Sequence, residues 1–234
     1  MSSSSDRGIR VERGGSAEES RRPDPAGRRS RIPREPFWII RANFGAYLVM
    51  NAVIYGFFLA GMGTGLLFPE LTEARTVALH ENGTADLVTS LLGNFWLFSL
   101  IILAVNALKA SLLTIVLPSM VVPFAGVAFF AYTTFDLGVS LAPINETLAK
   151  TMIPHSLAVL VEFQAYVLVV LGAYLLGRAW LWPGTVGARD RRQGYVRGLR
   201  QLGWVSLPAL ALLVIGAVYE AFEIIYVVPP LVAG

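Results

Sequence analysis

The sequence predicts an all-α polytopic membrane protein, a bundle of about five transmembrane helices behind a disordered basic N-terminal tail. Three observations predict it. Mean hydropathy is +0.59 and 55% of the residues are hydrophobic. Charged residues make up 15%, against about 25% in a typical soluble domain. The basic residues are gathered rather than dispersed: of 19 Lys and Arg, ten fall within residues 1–42 and six within residues 178–200. Long apolar stretches between two basic segments are the pattern of a multi-pass protein whose basic segments stay in the cytoplasm.

The elements follow in chain order. Residues 1–34 are rich in Ser, Arg, Gly, Pro and Glu and offer little to bury, which predicts a disordered cytoplasmic tail that helps set orientation or docks on anionic lipid. Residues 35–234 form the transmembrane helical domain. Trp38 and Arg41 lie at its entry, where an aromatic ring and a cation suit the interface. A first span over 43–67 contains Gly56, Gly61, Gly63 and Gly65, which permit close helix approach. Residues 68–87 read as a polar loop, with His80 as a surface histidine. Spans over 88–115 and 119–142 follow, separated by a break near Pro118 to Pro123, with Lys109 in the inner part of span two able to snorkel toward the cytoplasm. Residues 143–151 read as a short loop; Asn145-Glu146-Thr147 matches a glycosylation sequon by chance. A fourth span over 152–176 precedes Trp180, Trp182 and an arginine-rich loop, and a fifth over 203–228 ends at Pro229-Pro230.

Both basic segments belong inside, so five spans place the N-terminus in the cytoplasm of a bacterial cell and the C-terminus outside. Loops 68–87 and 143–151 then face outward.

Function is expected where ionisable groups interrupt the apolar stretches, because such groups persist in hydrocarbon mainly when they face a protein interior or a wet cavity. His155 and Glu162 lie seven residues apart, two turns along one stripe, and Tyr166 continues it. Glu220 and Glu223 are neighbours on the last span. Counted from the loops, all four ionisable groups fall in the outer half of the membrane. Asp136 and Asn94, near the outer ends of spans three and two, complete the expected polar cluster. These groups can bind a proton or cation, or they can fix the bundle by hydrogen bonds alone.

The composition also excludes. Without cysteine there is no disulfide, thiol catalysis or Cys-based metal site. No cofactor motif is present, and no metal site is expected, since two histidines would need carboxylates beside them. The basic residues lack interleaved aromatic platforms, which argues against nucleic acid.

Ile153-Pro154-His155-Ser156, followed by Glu162 to Tyr166 and by Gly172 and Gly177, resembles the Pro-His-Gly entry, acidic residue and small-residue tail of the stage II sporulation protein M family. Tyr219-Glu220-Ala221-Phe222-Glu223 is similar to that family's glutamate in the last span. Asn106 in span two is a third match, and Phe135-Asp136-Leu137-Gly138 a weaker fourth. Ser156 stands where the family has glycine, and Glu162 lies about one turn further from His155 than usual. The resemblance implies an integral membrane protein of the cell envelope that works with partner proteins.

Three functions compete. One is a scaffold or channel-like subunit acting with other membrane or envelope proteins, such as a cell-wall hydrolase. The next is a transporter or permease component with a carboxylate and histidine relay, working as a homo-oligomer or with an ABC-type ATPase. The third is an intramembrane hydrolase or peptide-processing enzyme, disfavoured because neither a His-Glu-x-x-His helix nor a nucleophile elbow is present. The sequence therefore points to a non-enzymatic role in the cytoplasmic membrane, with the lipid bilayer and other membrane or envelope proteins as its expected partners.

Overall fold

The computed structural model describes residues 34–233, with the side chain of His80 excepted. The expectations for the N-terminal tail and for His80 at the surface lie outside the described residues. Every described element is helical. In chain order these are α1 (Glu35–Ala42), α2 (Phe44–Leu67), α3 (Pro69–Glu81), α4 (Thr84–Leu91), α5 (Phe95–Val121), α6 (Ala125–Ser140), α7 (Glu146–Leu181) and α8 (Arg191–Ala233).

Four of these, α2, α5, α7 and α8, are long and apolar enough to cross a membrane. The sequence predicted five spans, and the third of them, 119–142, is not among these four. Its helix, α6, has 16 residues and rises only about 24 Å. The residues expected to lengthen it are used elsewhere. Leu117–Val121 continues α5, and Val122 and Phe124 turn the chain, Phe124 at φ 66°. Leu141 closes the other end. Even so, α6 joins the two ends of the bundle. Phe124 at its start packs on Tyr174 and Trp182, and Leu141 beyond its end lines a cavity with Met152 and His155.

Three stretches expected as loops are helical. Residues 68–87 fold into α3 and the first half of α4. Asn145 is the N-cap of α7, its side chain accepting from the Leu148 N–H at 2.9 Å; the sequon is a capping signal. Asp190 does the same for Gln193 at 2.8 Å and starts α8 inside the arginine-rich segment. One capping carboxyl or amide suffices to begin a helix before the apolar run does.

The centre of the bundle is α7, 72% of whose apolar window is buried, against 11% for α5 at the edge. Small residues set the two tightest seams. α7 and α8 run antiparallel: a Cβ on Gly172 would meet Leu202, one on Gly198 would meet Leu176, and one on Gly194 would meet the Ala179 carbonyl. α2 and α6 run parallel: Gly61 lies on the Phe135 backbone, and a Cβ on Gly65 would lie 2.6 Å from that of Ala142. Of the four glycines read as packing residues in α2, these two do that work. Gly56 and Gly63 have nothing within 4 Å of where a Cβ would be.

Candidate functional site

Antiparallel pairing of α7 and α8 brings early residues of one beside late residues of the other. His155, two and a half turns into α7, meets Glu223 of α8: Nδ1 lies 2.5 Å from Oε1. One hydrogen bond joins the imidazole to the carboxyl group. The Glu223 side chain is 1% exposed and that of His155 23%. The second carboxylate oxygen of Glu223, Oε2, is buried and has no hydrogen-bond partner. One turn back along α8, Glu220 lies within hydrogen-bond reach of Glu162 on α7. Two carboxyl groups hydrogen-bond only with a proton between them. Glu162 Oε1 also accepts from Asn106 Nδ2 of α5 at 2.6 Å. The Tyr219 hydroxyl donates to the Pro154 carbonyl at 3.3 Å and ties the same two helices at this level.

The result is a line of polar groups between three helices. It runs from the His155–Glu223 pair through Glu220 and Glu162 to Asn106. No ion pair to Lys or Arg is made by any of these acids among the described residues. No group of three or more acidic or histidine side chains is arranged to hold a metal ion among them. The arrangement can hold and pass protons, or neutralise a small cation.

A cavity of about 210 Å³ adjoins the His155 end. Leu141, Leu148, Met152, Ile224 and Val228 give it aliphatic walls, with Thr151, His155 and Glu223 as its polar lining.

Two of the helices depart from α geometry where they supply the cluster. α5 is a π-helix over Val105–Val116, beginning beside Asn106, and α8 is a π-helix over Glu223–Val227, beginning at Glu223. Ser111 Oγ reaches back five residues to the Asn106 carbonyl at 2.9 Å, the span of a π turn. Wider turns re-aim side chains and recur at functional sites. The sequence carries no legible sign of them.

The structure does not bring the remaining candidates into this line. Asp136 is ion-paired to Arg75 of α3, the side chains 35% and 49% exposed, beside a separate cavity of about 260 Å³. The α3 helix, expected as loop, supplies the arginine that holds it there. Asn94 caps α5 by accepting from the Leu97 N–H at 3.1 Å. Tyr166 is buried against Phe130 and Phe163 and makes an aromatic contact rather than a polar one. Pro154 sits inside α7 without ending it. Gly172 and Gly177 make room for Leu202 and the Phe124 ring.

Two features of the site escaped the sequence. Gly216 faces Glu162, and a Cβ there would fall 2.8 Å from Glu162 Cγ; only the α7–α8 register reveals this. Gln164 is the hub of a second network. Its Oε1 accepts from the Tyr47 hydroxyl at 2.6 Å, and its Nε2 donates to Asn51 Oδ1 and to the Tyr55 hydroxyl, each at 3.0 Å. The i, i+4, i+8 spacing of Tyr47, Asn51 and Tyr55 was the available signal, since it sets three polar groups on one face of α2.

Comparison with known proteins finds no matching family model, no matching curated protein and no matching solved structure.

Proposed function

We propose that this chain is a multi-pass subunit of a bacterial cytoplasmic-membrane transport assembly, handling protons or small cations through the line from His155 to Asn106. The observation that carries the reading is continuity. His155, Glu223, Glu220, Glu162 and Asn106 adjoin one another across three helices, with no basic side chain in the line except the imidazole itself. Buried carboxylates without a fixed cation are costly in a bilayer and suit an exchangeable one.

Orientation completes the reading. With the basic segments inside, α2 and α6 run outward and α5 inward, α7 runs inward, and α8 runs outward. α6 then supplies a fifth crossing, packed along α2. His155 and its cavity lie near the outer face, and Asn106 lies deeper. A coupled carrier opens its site to one side at a time, since a path open to both would dissipate the gradient.

The resemblance of residues 153–177 and 219–223 to the stage II sporulation protein M family supports an envelope role with partner proteins. A second reading, a scaffold or channel-like subunit, is favoured by one observation. The apolar helix α5 leaves Trp96, Leu100, Val105, Leu108 and Leu113 exposed along its length, a face free for a partner helix or lipid.

The deciding experiment is reconstitution of the full chain in liposomes loaded with a pH-sensitive dye, under a potassium diffusion potential. Uptake above protein-free vesicles is expected for the wild type and for Asp136→Asn, and its loss for Glu162→Gln and for Glu220→Gln. Uptake unchanged in both glutamine variants would end the transport reading and leave the scaffold.

A further inference from the structure

The cavity beside His155 has a composition that a proton path does not need. Water or hydronium is served by polar walls, yet five of the eight lining residues are aliphatic or thioether side chains. At about 210 Å³ it is smaller than the pockets of drug-sized ligands and larger than one water requires. Glu223 lines it, and its Oε2 is a buried acceptor that no described residue fills. Such an atom costs free energy until a donor reaches it.

We propose that this cavity binds a small aliphatic amine in its protonated form, the ammonium donating to Glu223 Oε2 and the hydrocarbon lying against Leu148, Met152, Ile224 and Val228. This rests on the transport reading and names the substrate class of the same site.

The charge arrangement fits. The Glu223 carboxyl group has one oxygen on the imidazole and the other unpartnered, and an ammonium supplies both a charge and a donor. The chain's own ammonium on this part of α7 is occupied: Lys150 Nζ is 3.0 Å from Glu146 Oε1. Other titratable groups nearby are His155 itself, whose Nδ1 already serves Glu223 Oε1, and Glu220 further along α8. An alkyl tail matches walls that would repel a hydrated inorganic ion, because stripping water from such an ion needs several oxygen ligands.

Thermal unfolding of the full chain in nanodiscs tests this, with n-hexylamine at neutral pH as the probe. Hexan-1-ol serves as the uncharged isostere and potassium chloride as the inorganic cation. At roughly ten times its dissociation constant the amine is expected to raise the unfolding midpoint by about 3–6 °C, and neither comparator should do so. Glu223→Gln should abolish the shift. Leu148→Trp, which fills the cavity, should abolish it too. An equal shift with hexanol would mean an apolar hole only. An equal shift with potassium would mean an inorganic-cation site, and an undiminished shift in Glu223→Gln would remove the named contact; each of these overturns the proposal. Proton uptake without amine binding would defeat this inference alone. Amine binding without proton uptake would defeat the transport reading alone.

Discussion

His155 and Glu223, 68 residues apart in the chain, meet at 2.5 Å between the first turns of α7 and the last turns of α8. The contact joins the only imidazole in the membrane helices to a carboxylate that is 1% exposed. A buried charge that loses its partner is worse than no charge at all. His155→Ala should therefore destabilise the chain more than the His155→Ala/Glu223→Ala double variant does. A double-mutant cycle by thermal unfolding in detergent should return a coupling of about 1 to 2 kcal/mol, the upper range for hydrogen bonds between membrane helices. Additive single effects would show that the pair contributes nothing as a pair.

Gly216 separates a steric demand from a helical one. A methyl group there must displace Glu162, whose Cγ is 2.8 Å from the Cβ position. Gly203, on the same helix, has nothing within 4 Å. Gly216→Ala should cost about 1–3 kcal/mol as overpacking and reduce proton uptake, because the Asn106–Glu162 bond shifts with the side chain. Gly203→Ala should gain up to about 1 kcal/mol from helix preference alone. Opposite signs on unfolding in detergent are the check; the same sign for both would mean that the α7–α8 register differs from the one described.

Gln164 binds α7 to α2 rather than to the acid cluster. Gln164→Leu removes three side-chain bonds, to Tyr47, Asn51 and Tyr55. At about 0.6 kcal/mol for an average bond between membrane helices, the loss should be about 2 kcal/mol. Proton uptake per folded molecule should be unchanged, since this network does not touch the acids. Reduced uptake at equal folded yield would join the two networks into one site.

The sequence by itself determined the helical class, the membrane-spanning length of four segments and the residues that had to be kept from lipid. Hydropathy and charge are properties summed along the chain, and they need no neighbour to be read. His155, Glu162, Glu220 and Glu223 were legible for the same reason: an ionisable group in a long apolar run is costly wherever the run packs. Asn106 was legible only through its resemblance to a family pattern, and its contact with Glu162 was not.

Tertiary structure decided which polar groups share a site. Depth along a helix can be counted, but azimuth between helices depends on packing register. That register is set by close contacts such as Gly172 on Leu202 and Gly61 on the Phe135 backbone. Asp136 stood at a suitable depth yet faces α3, where Arg75 holds it. Tyr166 stood on the right stripe yet turns into aromatic rings. Two π segments further rotate the ends of α5 and α8, a change in turn width that hydrophobic spacing does not encode. Partners 56 to 68 residues apart find one another only when whole helices pack, because no local propensity carries information over that distance.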